Sequence, residues 1–127
     1  MNAPDLDFIF TCHDDLPWIP SRFASGVEVK NLGKANGRAM QLVRFQQGAS
    51  FPPHLHTDVE FLFMLDGEVF QNGQRLASGW STVAPAGTRD LTFVSPTGCT
   101  FLMVYSLSTS ERFKIASFEA NDTEAGT

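Results

Sequence analysis

Several features that define whole classes of protein are scarce in this 127-residue chain. It has two cysteines, Cys12 and Cys99, far apart and without a CxxC pair, so we expect no disulfide scaffold and a reduced, cytoplasmic protein. Its nine basic residues are scattered singly against fourteen acidic ones, which argues against a nucleic-acid partner. No run approaches the roughly 18 apolar residues of a membrane span, and the start MNAPDLDFIF lacks the basic segment of a signal peptide. We therefore expect no membrane partner either.

What remains is the composition of one globular domain. The 14.0 kDa chain is 43% hydrophobic and 18% charged, which supplies a core and excludes overall disorder. Prolines around Trp18 predict an extended arm over residues 1–22. Residues 23–118 form the predicted body, and residues 119–127 are small and acidic, which predicts a flexible tail.

Long helical patterns are missing from the body, where short β-prone runs alternate with turn residues. The runs cover residues 27–32, 39–45, 59–65, 68–73, 81–87, 91–95 and 99–107. Asp66-Gly67, between two of these runs, carries the residue pair typical of a hairpin, and Lys34-Ala35-Asn36-Gly37 and Asn72-Gly73 are further turn signals. Many short strands predict an all-β antiparallel sandwich or barrel. Residues 111–118 fit a short helix or a last strand equally well.

Phenylalanine is abundant, with twelve residues, and its placement along one run is informative. In VEFLFML, Phe61, Phe63 and Leu65 share one face of an extended strand. Glu60, Leu62 and Met64 share the other. Because both faces are mostly apolar, we expect the outer one to be covered by a second sheet or another subunit, and hence a homodimer.

Two of the three histidines lie close together and predict a metal site. His54 and His56, spaced by two in an extended segment, point to the same face, and Glu60 follows where the next strand begins. Two imidazoles and a carboxylate form a facial set of ligands that suits a divalent first-row metal and leaves positions open for a small molecule. The alternative is a pair of surface histidines near a loop.

Three other polar residues could contribute to a site. His13, beside Cys12, could reach a metal but is more typical of a solvated residue, and Cys99 reads as a small core residue. Arg44, in an otherwise apolar strand, requires a partner. A structural salt bridge is one interpretation, and substrate binding through an anionic group is the other.

The segment around the histidines resembles the first sequence motif of the cupins. GASFPPHLHTDVEFLFMLDG has Gly48, five residues, His54-x-His56, three residues, Glu60, six residues and Gly67, and it matches every fixed position. GWSTVAPAGTRD, with Gly79, Pro85 and Gly87, is similar to the second motif.

Three further stretches narrow the resemblance to the ChrR-like cupin group. They cover residues 16–32, 42–56 and 95–106. The resemblance implies a double-stranded β-helix barrel of the jelly-roll type, a metal in its mouth and commonly a dimer. The chain departs from the second motif at one position, because it has Asp90 where that motif supplies a third histidine ligand. Either Asp90 is a fourth ligand, or it turns away or pairs with Arg89.

Four ligands with two carboxylates would favour Fe(II) or Mn(II), with Zn(II) or Ni(II) as alternatives. By resemblance, the protein is a small non-haem dioxygenase that acts on a small carbonyl or diketone-type molecule. One alternative is a stand-alone ligand-binding sensor like the cupin half of ChrR-like anti-sigma factors, since residues 1–22 are too few for their helical zinc domain. The other is an oxygen-independent, metal-dependent isomerase or lyase.

Overall fold

The computed structural model describes residues 7–107 and is almost entirely β-structure within that range. One 3₁₀ turn, His13–Asp15, precedes the strands. The strands are β1 Ile19–Pro20, β2 Val27–Ala35, β3 Arg38–Phe45, β4 His54–Leu55, β5 Glu60–Gln71, β6 Gln74–Ala77, β7 Ser81–Ala84, β8 Arg89–Asp90, β9 Phe93–Val94 and β10 Cys99–Ser106. No helix in this part of the chain is long and apolar enough to cross a membrane.

The strands form one large curled sheet and one short ribbon. The large sheet runs β1-β2-β3-β10-β5-β6, and the long β5 also pairs with β7 along its first part and with β9 at its end. Because one strand serves different partners along its length, the sheet curls into a half-barrel. The ribbon pairs β4 with β8. The prediction of a single-domain all-β barrel is confirmed, whereas the predicted element at 111–118 and the tail lie outside the described residues.

Two of the predicted turns join neighbouring strands. Asn36-Gly37 connects β2 to β3 and Asn72-Gly73 connects β5 to β6, and all four residues have positive φ angles between 50° and 85°. Asparagine and glycine tolerate this backbone region, which a tight two-residue hairpin requires. Strand β6, of sequence QRLA, was not among the predicted strands because only one of its residues, Leu76, is buried.

The predicted hairpin at Asp66-Gly67 is wrong, since β5 continues straight through it. Gly67 has a φ of 77° and lies against the backbone of Gly98, where a Cβ would collide with the carbonyl oxygen. The pairing of β5 with β10 shifts by one residue at this point, at Thr100 and Phe101. Leu65 is therefore the extra residue of a bulge, and Asp66-Gly67 continues the paired strand instead of reversing it.

Aromatic side chains fill the interior of the half-barrel. The rings of Phe45 and Phe51 are 4.8 Å apart, and those of Phe51 and Phe93 are stacked at 5.2 Å. Phe101, from the central strand β10, closes the cluster 5.8 Å from Phe93. Cys99 is buried in the same core, as predicted, and burial raises the pKa of its thiol.

The residues before β2 add an edge strand to the large sheet. Ile19 and Pro20 pair with Val29 and Glu28. Two cationic groups lie over the Trp18 ring, with Arg44 Cζ at 4.2 Å and Lys30 Nζ at 5.0 Å from the ring centre.

Candidate metal centre

The β4–β8 ribbon brings together two segments that are distant in the sequence. His54 on β4 is paired in register with Asp90 on β8. The ladder continues beyond the strands, because the His56 N–H donates to the Thr88 carbonyl at 2.8 Å and the Gly87 N–H donates to the His56 carbonyl at 2.7 Å. Glu60 opens β5 immediately afterwards and faces inward. The two cupin-like motifs thus meet side by side.

His54, His56 and Glu60 converge as the spacing predicts. One potential ligand atom from each lies within 4.8 Å of the other two. His56 Nε2 is 3.2 Å from Glu60 Oε1, and the His56 side chain is fully buried. These three residues could hold a metal ion.

Asp90 lies beside the same group. Its Oδ2 atom is 3.6 Å from His54 Nε2 and 3.7 Å from His56 Nε2. Its Oδ1 atom accepts a hydrogen bond from the Gln71 side-chain amide at 2.8 Å. The Gln71 contact therefore directs the second oxygen towards the two imidazoles. Asp90 thus lies beside the two histidines, and its ligation of a metal stays a prediction.

Hydrogen bonds on the far side of each imidazole select its tautomer. His54 Nδ1 is 3.1 Å from the Pro52 carbonyl oxygen, which can only accept, so Nδ1 carries the proton. Thr88 donates its hydroxyl proton to the Pro85 carbonyl at 2.8 Å, which leaves its Oγ1 to accept from His56 Nδ1 at 3.2 Å. In the neutral form of each ring, Nε2 therefore presents its lone pair to the centre of the group, as metal ligation requires.

The electrostatics of the group also fit a cation. Asp90 is buried, and the loss of water raises the pKa of its carboxyl group, partly opposed by the Gln71 hydrogen bond and the two histidines. Glu60 adds a second buried carboxyl group to the same small volume. Two imidazoles and two carboxyl groups form a donor set that suits a divalent ion.

One side of the group is an aromatic wall. The rings of Phe23 and Phe51 meet the His54 ring edge-on, with centres 5.9 and 6.2 Å away. Phe23 packs on Phe51 at 5.3 Å and so joins the wall to the core. The potential ligands consequently border an apolar surface rather than a polar cleft.

The remaining predicted residues lie elsewhere. Arg44 alternates with the buried Val43 and Phe45, so it points to the outer face of β3, where its Nε donates to Glu28 at 3.1 Å. This is the salt bridge that the sequence allowed, and its role in substrate binding stays a prediction. The His13 side chain is half-exposed beside Asp14, and its carbonyl accepts from Lys30 Nζ at 2.7 Å.

Sequence reasoning missed the two residues that hold the potential ligands in place, Gln71 and Thr88. Gln71 shares a strand face with the buried Val69, and Thr88 lies two positions before Asp90. Alternation from Asp90 places Thr88 on the same side as Asp90, whereas the bulge in β5 breaks the alternation that would connect Gln71 to Glu60. The alternation does not identify the partner, because the partner is on another strand.

Comparison with known proteins supports this architecture. In the solved structures, a proposed acetylacetone dioxygenase from Methylibium petroleiphilum PM1 superposes with a TM-score of 0.74 at 17% identity, covering 87% of this chain and 88% of that one. An acetylacetone dioxygenase from Acinetobacter johnsonii gives 0.67 at 15% identity, with 79% and 73% covered. At these identities the similarity establishes the fold.

The anti-sigma protein ChrR from Rhodobacter sphaeroides, solved with SigE, gives a TM-score of 0.64 at 21% identity, covering 73% of this chain and 50% of that one. No protein of curated function matches the sequence. The sequence profile of the ChrR cupin-like domain matches residues 7–108, most of the chain. The resemblance predicted from the two motifs is confirmed, and the chain belongs to the ChrR cupin-like domain family.

Proposed function

We propose that this protein binds one divalent metal ion through His54, His56, Glu60 and Asp90 and acts as a small non-haem dioxygenase on a small carbonyl or diketone-type substrate. The observation that carries the proposal is the meeting of two Nε2 lone pairs with two buried carboxyl groups beside an aromatic wall. The donor set of two nitrogens and two hard oxygens favours Fe(II) or Mn(II). When bound, such an ion supplies Lewis-acid activation of a carbonyl group and, as iron, redox chemistry with dioxygen.

Hydrogen bonds from other residues of the chain hold the potential ligands in fixed orientations. Pro52 and Thr88 hold the two imidazoles from behind, and Gln71 holds Asp90. These hydrogen bonds restrict ring and carboxyl rotation, so the donors are in place before a ligand arrives. Phe23 and Phe51 exclude water from one side and offer an apolar surface to the alkyl or aryl part of a substrate.

The names of two structural neighbours support the substrate class. One is named an acetylacetone dioxygenase and the other a proposed one, acetylacetone is a small β-diketone, and both share this fold over most of the chain. A small enolisable diketone is compatible with a site that pairs a cation with an apolar wall. Proteins of this fold serve several chemistries, so the reaction is the part that needs an experiment.

The test combines metal analysis with oxygen uptake. Protein is purified without chelators or a nickel column, analysed for metal and, after reconstitution with Fe(II) or Mn(II), assayed in an oxygen electrode with a panel of small β-diketones. We expect about one iron or manganese per chain and oxygen uptake with at least one diketone. Metal-dependent turnover without oxygen uptake would instead indicate an isomerase or lyase. Little metal after reconstitution would contradict the metal site.

A second candidate is a ligand-binding sensor domain. The observation that favours it is the family match, since the ChrR cupin-like profile spans residues 7–108. A sensor would gain thermal stability from a small carbonyl ligand in the metal-loaded state without converting it. Product analysis by mass spectrometry on the same panel separates the two functions: an unchanged ligand with a raised Tm supports the sensor.

A further inference from the structure

The inner face of the large sheet carries a short polar row beside the candidate metal centre. Glu60 on β5 pairs with Ala84 on β7, and Tyr105 on β10 pairs with Ala39 on β3. The antiparallel register of β5 with β10, continued by one residue, places Tyr105 directly beside Glu60. All four residues of this row are buried. The alanines at its two ends are short, so Glu60 and Tyr105 are the side chains of the row that extend into the barrel.

The interior of the half-barrel becomes more polar towards this row. Two rows further from the metal centre, the aligned residues Met64, Phe101 and Val43 are all apolar. The row in between includes two polar residues, Thr82 and Gln41. Polar side chains therefore gather at the level of the potential ligands, where they can form hydrogen bonds with the oxygen atoms of a bound molecule.

Tyr105 is the only tyrosine in a chain that has twelve phenylalanines. Tyrosine differs from phenylalanine by one hydroxyl group, and Tyr105 is only 2% exposed. A buried hydroxyl group lowers stability unless it is hydrogen-bonded, so a residue that only filled the core would be better served by phenylalanine. The position of this one hydroxyl-bearing ring beside Glu60 indicates a role in the candidate site.

The Tyr105 side chain is long enough to reach a molecule bound at the metal centre. The Cβ atoms of residues opposite each other on antiparallel strands are about 5 Å apart. Because tyrosine is longer than glutamate, its hydroxyl group can extend past the Glu60 carboxyl group, whose Oε1 atom is 3.2 Å from His56 Nε2. A phenol donates a hydrogen bond from its neutral form, so no change of charge is needed.

From this arrangement we propose that Tyr105 is a substrate-binding residue, whose hydroxyl group donates a hydrogen bond to a carbonyl or enolate oxygen of the substrate. The inference rests on the proposed function, because it requires a carbonyl compound beside the metal ion. A β-diketone that has released the proton between its carbonyl groups to solvent carries a negative charge shared by two oxygen atoms. Hydrogen bonds to charged acceptors are stronger than those to neutral ones. Tyr105 therefore favours an enolisable diketone over a simple ketone of the same length.

The first test measures whether Tyr105 lies at the metal centre. Incorporation of 3-fluorotyrosine into the full chain labels this residue alone, so the protein gives one fluorine resonance in the NMR spectrum. We expect bound Mn(II), which is paramagnetic, to broaden that resonance strongly. The same label in His56→Ala, which lacks a potential ligand, is the control and should keep a sharp resonance.

The second test measures the binding of acetylacetone and 2-pentanone to Mn(II)-loaded protein without dioxygen, by calorimetric titration of wild type and Tyr105→Phe. We expect the Kd for acetylacetone to rise about 10-fold in the variant, because a hydrogen bond to a charged group contributes at least about that factor. The Kd for 2-pentanone should rise less, and the Mn(II) affinity should stay the same, since the phenol is not among the ligands. Met103→Leu, at a buried apolar residue of the same strand face, is the matched control and should bind both compounds as wild type does.

Two results would overturn the inference and leave the proposed function in place. One is a sharp fluorine resonance in protein that binds Mn(II), which would put Tyr105 away from the metal ion. The other is an equal Kd for acetylacetone in wild type and Tyr105→Phe, together with oxygen uptake by both. If wild type binds neither Mn(II) nor acetylacetone, the proposed function is contradicted and the role of Tyr105 with it.

Discussion

The inner and outer faces of strand β5 come from one run of residues but have opposite surroundings. On the inner face, Glu60 lies beside His56 in the candidate metal centre, and Leu62 and Met64 are buried in the core. On the outer face, Phe61 and Phe63 remain almost half exposed. The comparison shows that an apolar residue pattern does not reveal which face is the core. Packing against distant strands decides which face becomes the core. The polar side chains of the candidate metal centre lie on that inner face.

The largest expected effect concerns the inner face. His56→Ala removes a fully buried potential ligand. We expect metal affinity to fall at least about 100-fold, because the loss of a ligand should cost at least as much as the loss of a residue that only supports one. Metal content by plasma mass spectrometry after equal reconstitution measures this. His13→Ala, at the half-exposed third histidine, is the control and should keep full metal content. Equal losses in both variants would contradict the site.

Asp90→Asn separates the contribution of Asp90 to metal binding from the effect of its ionisation on the stability of the fold. Burial raises the pKa of Asp90 above its unfolded value, so ionisation lowers the stability of the metal-free protein as the pH rises through the raised pKa. Asparagine cannot ionise and can still accept from Gln71. We expect the metal-free variant to gain Tm relative to wild type as the pH rises from 4 to 8, while Mn(II) affinity falls about 100-fold.

Calorimetric titration with Mn(II) and thermal scans across that pH range check both halves. Unchanged affinity together with the Tm gain would leave Asp90 outside the ligand set. The site would then be the triad of His54, His56 and Glu60.

A smaller effect is expected behind the ligands. Gln71→Leu removes the amide that directs Asp90 Oδ2 towards the imidazoles, and we expect metal affinity to fall about 10-fold. Gln71→Glu is the informative companion, because it replaces a donor with a like charge beside Asp90 and should lower affinity further. If Gln71→Leu binds metal as tightly as wild type, the amide does not position Asp90.

The smallest effect is expected on the outer face. Arg44→Ala breaks the partly exposed ion pair with Glu28 and the stacking on Trp18, which should lower the free energy of unfolding by about 1 kcal/mol. Chemical denaturation measures it. The KM for an active substrate should not change, because Arg44 points away from the core. A clear rise in KM would support the substrate-binding role that the sequence suggested.

Much of the fold followed from local patterns. Runs of β-prone residues bounded by turn residues identified the long strands. Asn36-Gly37 and Asn72-Gly73 were recognised as turns because tolerance of a positive φ angle is a property of the residues themselves. Asp66-Gly67 has the same chemistry but lies beside β10. Pairing with β10, not the preference of the two residues, decides that the strand continues here instead of turning.

The residues of the candidate site also fall into two groups, those that local sequence brings together and those that only the tertiary structure brings together. His54, His56 and Glu60 lie within seven consecutive positions, so strand geometry alone brings them to one side. The position of Asp90 depends on the β4–β8 register, and the Gln71 contact depends on the end of β5 meeting β8. Neither of these pairings can be recognised from the neighbouring residues in the sequence.

The sequence by itself determined the all-β class, the family and the three clustered potential ligands, because each depends on residues that are near neighbours along the chain. Only the tertiary structure decided that Asp90 turns towards the histidines, that Arg44 pairs with Glu28 on the outer face, and that one row of phenylalanines stays half exposed. These outcomes depend on the register between strands many residues apart, which is selected by the packing of the whole core.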